Sequence, residues 1–207
     1  MNHVSEQPPL RRSNARAPRM LSVLIGVCAF MGLAGCDHKA EPDEGPKPHA
    51  SIRDIMLYEV DPAADFVWES VSTDLTKDGP KENHPRTDAE WHTVQSQALR
   101  LAEAPNLLVV PGRRVAHGGQ ALDDVDAPGN LTADQIETEI AKDPARFASF
   151  AADLQTAALK AVDAAKAHNP ARLSEAGAAI DAACEACHRT YWYPGEADYL
   201  RAHGVTP

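Results

Sequence analysis

Aromatic residues make up only 5% of this 207-residue chain, and no segment alternates strand-like with helix-like stretches. Alanine and other strong helix formers dominate the second half instead, which favours packed helices over a sheet. Basic residues are also scarce: 20 Lys and Arg stand against 30 Asp and Glu, a net charge of −10. That balance argues against nucleic acid and against electrostatic docking on anionic lipid, while a basic partner is compatible with it. The apolar run Leu21 to Leu33 is too short for a comfortable transmembrane span. There is no internal repeat. Cysteine occurs four times, and each has a separable place in the chain.

Residues 1–35 read as an export signal. Arg11, Arg12, Arg16 and Arg19 precede the apolar run, and Leu33-Ala34-Gly35-Cys36 closes it with small residues ahead of a cysteine. This resembles a bacterial lipoprotein signal, which implies that Cys36 becomes the lipidated first residue of the mature protein. The alternatives are an ordinary secretory signal ending near Cys36 and an uncleaved anchor. Asp37 resembles the signal that keeps some lipoproteins in the inner membrane, so the expected location is periplasmic and lipid-anchored there. Cys28 is lost with the signal, leaving Cys184 and Cys187 with no structural disulfide expected. Removing four arginines and one glutamate leaves 16 basic against 29 acidic residues, a charge of −13.

The two remaining cysteines lie in Cys184-Glu185-Ala186-Cys187-His188. C-x-x-C-H is the attachment signature of c-type haem: two thiols add across the porphyrin vinyl groups, and the adjacent imidazole takes one axial position on iron. On a helix, Cys184, Cys187 and His188 stand at i, i+3 and i+4 and project from one face. A thioredoxin-type pair would belong near a βαβ pattern, which is absent. A zinc site would need a further ligand such as His203 or a carboxylate, and no second ligand pair has zinc-finger spacing. Two merely buried thiols would leave His188 unexplained.

Along the mature chain, residues 36–50 hold three prolines and read as a flexible tether ahead of a folded domain at 51–207. A first helix starts at Ser51 with Ile52, Ile55, Met56 and Val60 at helical spacing, kinks or restarts at Asp61-Pro62, and ends before Gly79-Pro80. Lys77 to Pro85 reads as a charged turn. Thr87-Asp88-Ala89-Glu90 is a capping box for a second helix, Asp88 to about Ala104, which Pro105 interrupts. Leu107 to Val110 reads as an apolar segment packed on the helices, and residues 112–131 as a long irregular connection. Arg113, Arg114 and His117 there either contact haem propionates or face solvent. Thr132 starts a short helix, and Asp143-Pro144 restarts it as a long one through Phe147, Phe150, Leu154, Ala158, Ala161 and Ala165. Asn169-Pro170 caps the last helix, which carries Leu173, Gly177, Ile180, Cys184 and Cys187 on one stripe and ends near Tyr193.

Four principal helices with the cofactor on the last predict an all-α fold, a four-helix bundle with covalently attached haem near its end. The pattern resembles the class II c-type cytochromes, the cytochrome c-prime superfamily, over residues 51 to 195. It departs in its long second connection and in Tyr191-Trp192-Tyr193, which either pack on the proximal face of haem or cover the helix end. The resemblance implies one covalent haem c, axial ligation by His188, and a first helix facing the distal side of iron. Met56, the only methionine left after signal removal, lies there and is either the sixth ligand or core filling. His92 competes but neighbours Trp91 and should point to solvent.

With Met56 on iron the protein is a one-electron carrier that meets a redox partner protein at the membrane, and a homodimer is compatible with this. The alternative is a five-coordinate haem protein that binds NO or CO. Peroxidase-like catalysis would need a distal acid or base, and no residue nominates itself.

Overall fold

The computed structural model describes residue 45 and residues 47–205. The expected signal, Cys28, the lipidation site Cys36 and most of the tether lie outside the described residues. No helix among the described residues is long and apolar enough to cross a membrane.

The described chain is mostly helical, consistent with an all-α class, with one small two-stranded sheet. Helix α1, Ile52–Ile55, starts at a capping box in which the Ser51 hydroxyl accepts from the Asp54 amide and the Asp54 carboxylate accepts from the Ser51 amide. It runs without a break into a π-helical turn, Met56–Val60, and then into α2, Asp61–Glu69. The kink or restart expected at Asp61-Pro62 is therefore a continuous helix that widens just before the proline.

Beyond α2 the chain does not stay helical to Gly79. Strands β1, Ser72–Thr76, and β2, Gly79–Asn83, pair antiparallel with Leu75 opposite Pro80, so the expected charged turn is half of a hairpin. Gly79, at φ +112°, supplies the left-handed conformation at the turn. The hairpin is solvated, with Leu75 87% exposed near its tip.

Helix α3, Asp88–Leu108, is capped as expected by Thr87 and Glu90, but it passes through Pro105 for one further turn. Gln155 of the facing helix donates to the Ala102 carbonyl at 2.9 Å, in the turn that the proline ring crowds. Of the apolar segment expected to pack at 107–110, Leu108 is buried while Leu107 and Val109 are exposed. Helices α4 (Ala133–Lys142), α5 (Pro144–Lys166) and α6 (Pro170–Tyr191) start at Thr132, Asp143 and Asn169, the last two with proline at the first helical position. A short α7, Glu196–Ala202, follows Pro194-Gly195 and was not expected.

Helix α3 packs along α5, α5 along α6, and α2 against both α3 and α6. Val67, Val94, Leu101, Leu173 and Ile180 are fully buried between them. Ala98 and Ala102 of α3, with Ala157, Ala158, Ala161, Ala164 and Ala165 of α5, are buried too. Such small side chains let helix backbones approach closely, which is how a chain poor in aromatics fills this core.

The connection between α3 and α4 is irregular, as expected, yet it is tied down. The Ile52 and Arg53 amides, which the first turn of a helix leaves unpaired, donate to Arg114 and Val115 carbonyls at 2.9 and 3.0 Å. Glu137 of α4 accepts from Arg114 Nε at 2.7 Å and from the Val115 amide at 2.9 Å. At the other end, Gly129 (φ +93°) lies against Gly195, where an added Cβ would fall 2.5 Å from the Gly195 carbonyl carbon.

Gly129→Ala should therefore destabilise the protein by roughly 1–3 kcal/mol, because both the φ angle and the contact are lost to a methyl group. Denaturant unfolding measures this, and a stability equal to wild type contradicts it. Glu137 gives a pH-dependent counterpart. Burial raises its pKa, but the Arg114 and Val115 hydrogen bonds and the Arg114 charge outweigh this and hold it below the ordinary value. Its contribution is thus present above the unfolded-state pKa and lost as pH falls through the folded one. Glu137→Gln should cost about 1 kcal/mol at neutral pH, with the difference from wild type shrinking in acid.

Candidate functional site

Helices α5 and α6 are joined by the short His168-Asn169 turn, so the start of α5 faces the end of α6. Near the turn the buried residues are mostly small, alanines on α5 and Ala176 and Gly177 beside Leu173 on α6; away from it the cavity is lined by Phe147, Phe150 and Leu154 on α5 and Cys184, Cys187 and His188 on α6. The helices leave a cavity of about 230 Å³ at this wide end. Its walls are completed by Leu108 of α3 and by Met56, Val60, Ala64 and Trp68 of the first helical run. Exposed Asp61 and Asp181 border it.

Spacing on α6 does what helical geometry requires of it. Cys184, Cys187 and His188 all reach the same cavity from one face. Both cysteines are free and half-buried. Burial first, then the negative charges of Asp61, Asp181 and Glu185, push the Cys184 thiol up to about 11. Burial and its neighbour Cys184 push Cys187 up to about 12. Both are thiols at neutral pH. Burial also lowers the His188 pKa against the pull of Glu185, which favours the neutral imidazole with a lone pair to offer a metal.

The aromatic triplet divides its work. Tyr191 is buried and meets Phe147 and Phe150 edge-on, at centroid distances of 5.5 and 5.9 Å. Trp192 and Tyr193 flank the His188 ring at 5.9 and 6.2 Å. Tyr193 also donates its hydroxyl hydrogen bond to Glu185, between the two cysteines. The triplet thus both closes the helix end and surrounds the imidazole.

On the opposite wall, Met56 is partly buried and packs against the core. It belongs to the π-helical turn, in which the Asp61 amide donates to the Met56 carbonyl, five residues back. The wider turn keeps residues four apart more nearly in line than an α-helix does, so Met56, Val60, Ala64 and Trp68 share one wall. The Trp68 indole donates to the Gly177 carbonyl at 3.0 Å, joining that wall to α6.

Other sequence candidates lie elsewhere. His92 is exposed on α3, outside the cavity lining. Arg114 pairs with Glu137, Arg113 donates to the Leu107 and Ala50 carbonyls, and His117 meets Asp54 at 3.0 Å. These three brace the long connection and do not line the cavity. His203 turns its ring to Tyr199 in α7. Among the described residues no group of three or more His, Cys, Asp and Glu is arranged to hold a metal ion. Asp181 and the π-helical turn were missed. A signal for the turn was present: Pro62 stands four residues after Tyr58, whose carbonyl it cannot serve.

C-x-x-C-H is the attachment signature of c-type haem, and here its two cysteines and its histidine line one largely apolar cavity. Residues 126–192, about a third of the chain, match the family described as Cytochrome C′, which supports assignment to the class II cytochrome c-prime family. That family binds covalent haem c, and the match indicates a haem-binding c-type cytochrome. It includes Cys184, Cys187 and His188 and stops short of the first helical run with Met56. Comparison with curated proteins and with solved structures found no match.

Proposed function

We propose that this protein is a periplasmic, membrane-tethered c-type cytochrome that carries one covalent haem in a four-helix bundle and transfers single electrons. The observation that carries the reading is that Met56, far away in sequence, lines one largely apolar cavity with Cys184, Cys187 and His188. The bundle would consist of the α1–α2 run, α3, α5 and α6.

The donor set fits the group. Two unpaired thiols can form thioether bonds, His188 offers a neutral imidazole for one axial position, and the Met56 thioether offers a soft sixth ligand. When bound, the haem would supply a ferric/ferrous couple, exchanging one electron with a redox partner protein. The chain's part is to position and insulate. Phe147, Phe150 and Leu154 exclude water from the cavity, which disfavours added charge and favours the ferrous state, as thioether ligation does. Trp192 and Tyr193 restrict the His188 ring. Exposed Asp61 and Asp181 mark the side on which the cavity meets solvent and a partner can approach. Lipid at Cys36 would confine that encounter to a membrane surface, on the inner membrane by the Asp37 signal. No step here needs an acid or base catalyst, so we infer no enzymatic activity.

A second reading, a five-coordinate haem protein that binds NO or CO, draws on the fact that the family can bind gases. It also draws on the packing of Met56 against the core, which suits a side chain that merely fills space.

Two measurements test the proposal. Mature protein from a host with haem-attachment machinery should carry the mass of one haem, lost in Cys184→Ala/Cys187→Ala; a wild type without it ends the haem reading. The loaded wild type should be six-coordinate and low-spin and bind carbon monoxide only weakly, because the gas must displace Met56, whereas Met56→Ala should be high-spin and bind it tightly. Unchanged spin state and potential in Met56→Ala would show that the methionine is not on iron.

A further inference from the structure

The π-helical turn has a chemical cause in the chain and a partner on the neighbouring helix α3. In a regular α-helix the carbonyl of Tyr58 accepts from the amide of residue 62. Residue 62 is Pro62, which has no N–H and whose ring crowds that carbonyl. The helix meets this by widening over Met56–Val60. Arg100, from α3, then turns its guanidinium onto the same place: Nη2 donates to the Tyr58 carbonyl, and Nε meets Glu59 Oε2 at 2.7 Å. The Glu59 carboxylate holds the guanidinium over the turn, and the second nitrogen supplies the donor that the proline withholds.

We propose that Arg100 is a positioning residue for the cavity. By satisfying the Tyr58 carbonyl, it holds the widened turn that sets Met56 and Val60 on the same wall as Ala64 and Trp68. The inference rests on the proposed haem site for its functional consequence, but its structural part stands on Pro62, Tyr58 and Arg100 alone. Arg100 does not line the cavity. Its effect passes through the backbone of the first helical run.

The test is a double-mutant cycle in the full-length, haem-loaded protein, using Arg100→Met, Pro62→Ala and both together. One hydrogen bond to an otherwise unpaired carbonyl is worth about 1 kcal/mol, or about fivefold in an equilibrium. Arg100→Met should therefore tighten carbon monoxide binding to the ferrous protein about fivefold, because a loosened Met56 competes less for iron. In the Pro62→Ala background an amide is restored to the Tyr58 carbonyl, and the same substitution should act within about twofold. Arg100→Lys keeps the charge beside Glu59 and one donor. It should fall between Met and wild type, and it carries the test if Arg100→Met does not fold. Wild-type carbon monoxide affinity in both Arg100 variants, or an equal shift in the two Pro62 backgrounds, overturns the proposal.

If the wild type carries no haem, the haem reading fails by itself, and amide hydrogen exchange decides this one. Protection at Val60 and Asp61 should fall in Arg100→Met only when Pro62 is present. Equal protection in wild type and Arg100→Met overturns it.

Discussion

Helices can approach only as closely as their side chains allow, and this chain grades side-chain size along its length. On α5 the sequence changes from Phe147, Phe150 and Leu154 to Ala158, Ala161, Ala164 and Ala165. On α6 it runs from Leu173, Ala176 and Gly177 to Cys184, Cys187 and His188. Because the two helices are antiparallel across a short turn, the small residues of one meet the tight stretch of the other. The large and chemically active residues share the opposite end. A cavity at that end follows from packing, since alanine contacts hold the helices together while Phe147, Phe150, Trp68 and Leu108 line the space between them. A low aromatic content thus concentrates its few rings where a flat apolar group would need them.

Much of this was legible from local chemistry. Capping boxes at Thr87 and Thr132, and asparagine or aspartate followed by proline at 169 and 143, set helix starts that the structure reproduces, because those signals act within four residues. The triad on α6 was legible for the same reason: residues at i, i+3 and i+4 of a helix must share a face. What escaped depends on distant partners. Pro105 reads as a stop, yet α3 continues to Leu108, packed along α5, whose Gln155 donates to the Ala102 carbonyl in the same stretch. Asp61-Pro62 reads as a kink, yet the helix widens and continues with Arg100 from α3 at its freed carbonyl. The hairpin at 72–83 was lost because its strands are mostly polar and exposed, with Leu75 their one large apolar side chain and no alternation to mark them.

The distal wall shows the limit of local reading most clearly. Met56 came forward from a family resemblance and from being the sole methionine after the signal, and the family match itself ends well short of it. That it lines the same cavity as Cys184 and His188 is a tertiary fact, supported by the packing of α2 on α6 and by the Trp68 to Gly177 hydrogen bond. Gly177 contributes by having no side chain: a Cβ there would fall 3.1 Å from the Trp68 ring.

The long connection between α3 and α4 belongs to the same problem of holding two walls in register. At its start it takes the Ile52 and Arg53 amides, four and three residues before Met56. Through Arg114 and Val115 it is pinned to Glu137 on α4. At its end the Leu131 amide donates to the Trp192 carbonyl at 2.8 Å, and Gly129 presses on Gly195, just beyond His188. One irregular segment therefore grips the start of the helix that carries Met56 and the end of the helix that carries His188. A free loop of this length would be an entropic cost with no return. Anchored at both ends, it ties the two sides of the cavity together by backbone hydrogen bonds, which fixes their separation more firmly than side-chain contacts across the opening could.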